Sequence, residues 1–198
     1  MNIEEEKSRI RKEIKRRRQE LSSKVLTGID DMLPEFIAAI DDAELKSKLK
    51  KAKRIALYRS INGEVPVDSL AEFLMDKGII CCFPRVEGDS MVFCDCDDLD
   101  KDFEEASYGI KEPVKSKTVV NPKDIDVVVL PAVAYNEEGT RLGMGGGFYD
   151  RFVESCGKDR PYLLGICYEF QICSNVPSTE HDLAADFIAV IPEEVYGE

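Results

Sequence analysis

Residues 139–151 read Gly-Thr-Arg-Leu-Gly-Met-Gly-Gly-Gly-Phe-Tyr-Asp-Arg, and four of the five positions 143–147 are glycine. Glycine adopts backbone angles that side chains forbid and lets main-chain N–H groups come close to a ligand. A helix starting just beyond would add unpaired N–H donors and the positive end of its dipole, a combination suited to phosphate. Arg141 adds a forked cation, and a hydrogen bond to a charged group contributes about 1.5–3 kcal/mol. Two familiar phosphate loops are excluded. Phe148 and Tyr149 stand where a Walker A loop needs Lys and Ser/Thr, and a dinucleotide fingerprint would need glycine at position 148. The competing reading is a flexible turn whose glycines only relieve steric strain. Asp150 has two roles open: pairing with the helix dipole or Arg151, or holding Mg²⁺ beside phosphate oxygens and water.

Such a loop needs a buried strand before it and a helix after it. Asp126–Leu130, with three consecutive valines before Pro131, predicts the strand, and the loop 136–147 then leads into a helix from Phe148 to Cys156. Upstream, Arg54–Tyr58 predicts a strand, Val67–Lys77 a helix with Leu70, Phe73 and Leu74 inward, and Ile79–Phe83 a second strand. Strand, helix, strand at this spacing predicts a parallel βαβ unit. Tyr162–Cys167 and Phe187–Ile191 read as the last strands, and 84–124 as irregular with short antiparallel strands. The N-terminus predicts a helical flank: a helix over 3–21, a second capped by Ser22-Ser23 and reaching about residue 40, and a short charged one over 43–51. In the first helix Ile3, Ile10, Ile14 and Leu21 are spaced 7, 4 and 7 apart, one narrow stripe. Lys7, Arg11 and Arg18 fall along one edge of that stripe, at the rim of whatever the helix packs on, while Arg9, Lys12 and Arg16 point to water. The expectation is one α/β domain spanning 1–198.

Composition narrows the class. With 198 residues, 43% of them hydrophobic, the chain is long enough for one substantial core. No apolar run is long enough to cross a bilayer, and the first residues carry charge where a signal peptide needs an apolar stretch. A formal net charge of −12 disfavours nucleic acid, whose phosphates would be repelled. Seven cysteines without a CxxC pair argue for free thiols in a reducing, cytoplasmic setting, and a single histidine leaves no zinc-ligand set.

The segment 141–151, Arg-Leu-Gly-x-Gly-Gly-Gly-Phe-Tyr-Asp-Arg, resembles the signature of the 5-formyltetrahydrofolate cyclo-ligase family. Lys7-x-x-x-Arg11, Leu21-Ser22, Glu64 after the first strand, Pro84-Arg85, Tyr108-Gly109-Ile110-x-Glu112-Pro113 and Asp126–Pro131 follow the same pattern in order. So do Gln171, Pro177 and Asp182. The resemblance implies a three-layer αβα fold with a mainly parallel sheet, of the kind shared with sugar-phosphate isomerases and CoA transferases. It also implies ATP- and Mg²⁺-dependent conversion of 5-formyltetrahydrofolate to 5,10-methenyltetrahydrofolate, ADP and phosphate. Lys7, Arg11, Arg141, Gly143, Met144, Gly145, Gly146, Gly147, Phe148 and Tyr149 would then hold ATP, with Asp150 and Asp182 at Mg²⁺. Arg141, Tyr149 and Asp150 would serve catalysis. Arg59, Glu64, Tyr108 and Phe148 would contact the reduced folate, Tyr108 by stacking on the pterin. Phe148 stands where the family usually has tyrosine, and Met144 where tyrosine or a basic residue is frequent. The expected assembly is a monomer or weak dimer. Two rival readings remain: a kinase or ligase of this fold acting on another pterin or small amide, and a non-catalytic nucleotide-binding module.

Overall fold

The computed structural model describes residues 2–197 apart from 107, 108, 175 and 178–182. Three helices come first: α1 (Ile3–Glu20), α2 (Ser23–Ala39) and α3 (Ala43–Lys51). Each begins on a side chain that accepts a first-turn N–H, namely Asn2, Ser22 and Asp42, which satisfies a donor the helix cannot pair itself. In α1, Ile10 and Ile14 are buried as the stripe predicts, whereas Ile3 at the first position is half exposed. Arg9 and Arg16 face water and pair with Glu6 and Glu13. The rim expected for Lys7 and Arg18 is corrected, since both side chains are buried. For Arg18 the cause is plain: its guanidinium reaches inward to the carbonyl of Ala132.

The remaining elements are β1 (Arg54–Ala56), α4 (Asp68–Asp76), β2 (Ile80–Glu87), β3 (Ser90–Cys96), β4 (Phe103–Glu105), β5 (Lys111–Pro113) and β6 (Val127–Leu130). After them come β7 (Ala134–Tyr135), β8 (Arg141–Leu142), α5 (Phe148–Cys156), β9 (Tyr162–Tyr168) and β10 (Phe187–Ile191). The main sheet has the order β10-β9-β6-β1-β2-β3. Its neighbours run parallel except β2 and β3. The strands read as unbroken apolar runs because both faces are covered. Val127 and Val129 of β6 pack with α2, α3 and α4 on one face. Val128 and Leu130 pack with Phe152, Val153 and Cys156 of α5 on the other. This is the three-layer αβα arrangement.

Two local expectations differ. Phe73 is exposed rather than inward: Leu70, Ala71 and Leu74 form the buried face of α4, and the Phe73 ring lies beside it under Lys77 Nζ. The short antiparallel strands expected within 84–124 are present, but β2 does not end at Phe83: it runs on to Glu87, turns at Gly88 and pairs with β3 as part of the main sheet. Pro84 is tolerated because β1 has already ended, so β2 has one strand neighbour at that point.

The loops after β1 and β6 leave the sheet at the carboxyl ends of parallel strands, where ligands bind in open α/β sheets. Tyr58 and Arg59 follow β1, Pro131 and Ala132 follow β6, and all four line one cavity. Helix α1 lies over the β7–β8 hairpin, with Ile10 and Ile14 against Val133, Ala134 and Leu142.

Candidate active site

The β7–β8 hairpin carries the glycine loop into place. Asn136 Oδ1 accepts the Thr140 N–H at 2.7 Å and closes the turn, and Val133 N–H binds the Leu142 carbonyl at 2.8 Å. The chain then leaves β8 as residues 143–147 and enters α5 at Phe148. Gly147 caps α5 with φ of 65°, and no side chain caps the helix. Among the described residues, the N–H groups of 144–149 find no acceptor. Three of the five loop carbonyls, by contrast, are engaged, that of Gly147 by the Arg151 N–H. Arg11 Nε donates to Gly143 O at 3.0 Å, and Arg151 Nη1 donates to Gly146 O at 3.0 Å. With those carbonyls held by arginines, the peptide N–H groups are what the loop offers a ligand, and the ligand they suit is an anion. Replacing Gly147 with alanine puts a Cβ 2.7 Å from Arg151 Nη1 in a left-handed backbone. Urea denaturation should register a loss of about 1–2 kcal/mol; an unchanged midpoint would mean that the cap relaxes freely.

Guanidinium groups flank the loop on two sides. That of Arg11 approaches Gly145, whose Cβ position would lie 3.7 Å away. That of Arg141 is buried beneath Gly143: Nη1 donates to Pro131 O at 3.1 Å and Nη2 to Asp150 Oδ2 at 3.2 Å, while Nε has no partner among the described residues. Asp150 Oδ1 accepts the Leu183 N–H at 3.3 Å, so the first helical turn of α5 is tied to the chain just past 178–182.

Behind the loop lies a cavity of about 230 Å³. It brings together Arg59, Glu64, Arg141, Met144, Gly146, Gly147, Phe148 and Tyr149 from the residues singled out in the sequence. Arg11 meets this group through Gly143, and Lys7 lies buried on the same helix one turn earlier. Tyr108 and Asp182 fall outside the described residues. Neighbours that sequence patterning missed include Tyr58, Met91 and Ala132; a buried tyrosine or a small residue after a strand reads only as core. A second chamber of about 820 Å³ adjoins the first and shares Val86, Ile110, Glu112 and Phe148 with it.

Charge in the cavity is balanced by few groups. Glu64 is buried, and desolvation raises its carboxyl above the usual range against the pull of Arg18. Burial likewise lifts the Tyr149 phenol, helped by Glu64 and opposed by Arg141, so Tyr149 stays a neutral donor. Arg59 pairs with Asp68 at 3.3 Å and lies over the Phe103 ring. Burial pushes the thiols of Cys81 and Cys96 up to about 12, which disfavours the reactive thiolate at both. No group of three or more potential metal ligands occurs among the described residues. Asp150 supplies one carboxylate, which suffices for Mg²⁺ only when phosphate oxygens and water complete the shell.

The model of the 5-formyltetrahydrofolate cyclo-ligase family matches residues 3–191. The chain belongs to that family. Among curated cyclo-ligases, that of Mus musculus is 24% identical over 196 residues, covering 94% of each chain. The Mycoplasma pneumoniae cyclo-ligase is 30% identical over 168 residues, 84% of this chain and 87% of its own. Two solved structures share the fold. A 5,10-methenyltetrahydrofolate synthetase from Mycoplasma pneumoniae superposes with TM-score 0.71 at 29% identity, over 92% of this chain and 97% of that one. The Aquifex aeolicus synthetase gives 0.73 at 30% identity, over 93% and 89%. The cyclo-ligase family match thus takes in the glycine loop, the cavity and α1 together. No helix among the described residues is long and apolar enough to cross a membrane.

Proposed function

We propose that this chain closes 5-formyltetrahydrofolate to 5,10-methenyltetrahydrofolate with hydrolysis of ATP to ADP and phosphate. One observation carries the reading: a glycine loop whose 144–149 N–H groups have no acceptor among the described residues borders a cavity walled by Glu64, Arg59 and aromatic rings. Phosphate chemistry and a flat heterocycle therefore meet at one place. The formyl oxygen is a poor leaving group; transfer of the γ-phosphoryl to it, with ADP departing, turns it into phosphate. N10 then bonds to the formyl carbon, the C–O bond breaks with release of phosphate, and the N10 proton is lost. The loop amides, Arg11 and Arg141 hold the phosphates, and Lys7 adds positive charge from α1. The Tyr149 phenol donates toward the formyl side, and Phe148 lies between the two chambers. Mg²⁺ on Asp150, with Asp182 as a further ligand, would neutralise phosphate charge. The second chamber takes the arm that leaves the pterin.

The test mixes protein, ATP, Mg²⁺ and 5-formyltetrahydrofolate and follows the methenyl product by absorbance. Absence of product together with absence of folate-stimulated ADP release would remove the reading. Arg11→Gln is expected to raise KM for ATP about tenfold, the loss of one charge-assisted contact, with KM for the folate changed less than about twofold. Equal shifts in both constants would return α1 to a scaffold role.

A further inference from the structure

The basic first helix holds a second arginine that faces the site. Arg18 lies seven residues after Arg11, about two helical turns or roughly 10.5 Å along α1, and its side chain is 6% exposed. Its Nη2 donates to the carbonyl of Ala132, a residue of the cavity wall. Its Nη1 stands 3.7 Å from Glu64 Oε1, and its Nε is buried with no hydrogen-bond partner among the described residues. Glu64 is 8% exposed, lines the cavity, and accepts the Ile61 N–H through Oε2 at 3.2 Å. No N–H or O–H among the described residues donates to Oε1 within hydrogen-bond reach. The turn that carries Glu64 is itself seated on α1. A Cβ on Gly63, at φ of 73°, would come 2.6 Å from the Arg18 carbonyl oxygen, so the backbone of that turn can only lie where it does without a side chain.

We propose that Arg18 is a positioning residue for substrate: it holds Glu64 at the cavity wall as a carboxylate that accepts two N–H donors from the 2-amino-4-oxo pyrimidine ring of the folate. A carboxylate can receive the ring N–H and the exocyclic amino group side by side, whereas a protonated acid would turn a donor toward one of them. A buried carboxylate left without a cation takes up a proton rather than stay charged. Among the described residues the titratable groups facing Glu64 are Arg18 from α1 and the phenols of Tyr58, Tyr149 and Tyr168, and the hydroxyl of Tyr168 reaches the Glu64 carbonyl at 3.5 Å. Three neutral phenols supply no positive charge. Arg18 is the cation that keeps this carboxylate ionised, and through Arg11 the same rigid helix touches the phosphate loop. Distance between the two half-sites is thereby set by one element.

The inference rests on the cyclo-ligase reading, and the experiment separates the two. Wild-type protein, Arg18→Met, Arg18→Lys, Glu64→Gln and the Arg18→Met/Glu64→Gln pair are compared for KM of each substrate from about pH 6 to about pH 9. Arg18→Met should raise KM for 5-formyltetrahydrofolate about tenfold or more near neutral pH, with KM for ATP moved less than about twofold. In this variant the folate KM should fall again as pH rises and Glu64 ionises; the wild type and Glu64→Gln should lack that recovery. Arg18→Lys should regain most of the loss. In the Glu64→Gln background, Arg18→Met should add little, because its partner is already gone. That pair carries no unpaired buried charge, so it keeps the coupling measurable where Arg18→Met folds poorly. A folate KM within about twofold of wild type in Arg18→Met, or parallel increases for folate and ATP without pH recovery, would overturn the positioning role. Wild-type protein that makes no methenyl product would instead remove the cyclo-ligase reading. Direct titration of 5-formyltetrahydrofolate onto the same variants then decides Arg18: a pH-dependent loss of binding sustains it, and equal binding sinks it.

Discussion

Asp150→Asn is expected to lower kcat by about 10²–10³, with the concentration of Mg²⁺ needed for half-maximal rate rising in step. The amide keeps an oxygen that can accept the Leu183 N–H, now at 3.3 Å from Oδ1, and keeps the volume of the side chain. What it loses is the negative charge opposite Arg141 Nη2 at 3.2 Å. Two consequences follow from that one charge. A hard cation prefers charged oxygen and dehydrates reluctantly, so the weakened ligand costs metal occupancy at the phosphates. Arg141 is also left with Pro131 O as its one acceptor. Stability should drop by only about 1–2 kcal/mol, since Asp150 is partly exposed and solvent softens the loss. Steady-state rates over a Mg²⁺ titration, with urea unfolding as the control, measure both effects. Wild-type turnover in this variant would leave Asp150 only with its pairing to Arg141 and its tie to the Leu183 N–H.

The phosphate side of the proposed site is legible in the sequence because backbone chemistry dictates residue type there. A loop that must present amides to an anion requires glycine, and the strand before it and α5 beginning at Phe148 emerge as expected, with the β7–β8 hairpin standing where only loop was expected. The βαβ unit of β1, α4 and β2 is legible for a similar reason, since apolar runs with turn signals between them fix strands buried on both faces. The folate side is far less so. Its walls come from Tyr58, Ala132, Ile110 and Met91, four residues on separate segments whose types are those of ordinary core. Only the fold makes them neighbours. Arg18 illustrates the limit. A helical wheel assigns it correctly to the edge that holds Lys7 and Arg11, yet says nothing of how deep that edge lies. Depth depends on the loops after β1 and β6 folding back over α1, which is a long-range property. Phe73 fails in the opposite direction, because a helix with Leu70, Ala71 and Leu74 inward has no room left for a third large side chain on that face. The sequence signals short antiparallel strands after residue 84 but not that β2 continues through Pro84, because proline is compatible with a sheet only where one flank is open.

Arg141 should tolerate replacement no better than Asp150. Arg141→Lys is expected to reduce kcat/KM for ATP by about 10² and Arg141→Met by about 10³. The wild-type guanidinium is 5% exposed and uses both ends of its fork, one on Pro131 O and one on Asp150 Oδ2. It also lies over the Tyr149 ring at 5.6 Å. A lysine ammonium keeps the charge but is a single point on a flexible stem, so it can satisfy the carbonyl or the carboxylate in one geometry, and not the plane that stacks on Tyr149. Methionine fills much of the same volume and leaves Asp150 facing an apolar wall. Part of each loss is structural: removing one partner of a buried pair costs about 3–5 kcal/mol where no water reaches, and less here because Asp150 is 26% exposed. Binding of ADP measured by calorimetry separates the two contributions. If Arg141 grips phosphate as well as bracing Asp150, affinity for ADP falls in the lysine variant even at temperatures where circular dichroism reports it fully folded. Unchanged ADP affinity in a folded Arg141→Lys protein would confine Arg141 to bracing, with the loop amides and Arg11 left to hold the nucleotide.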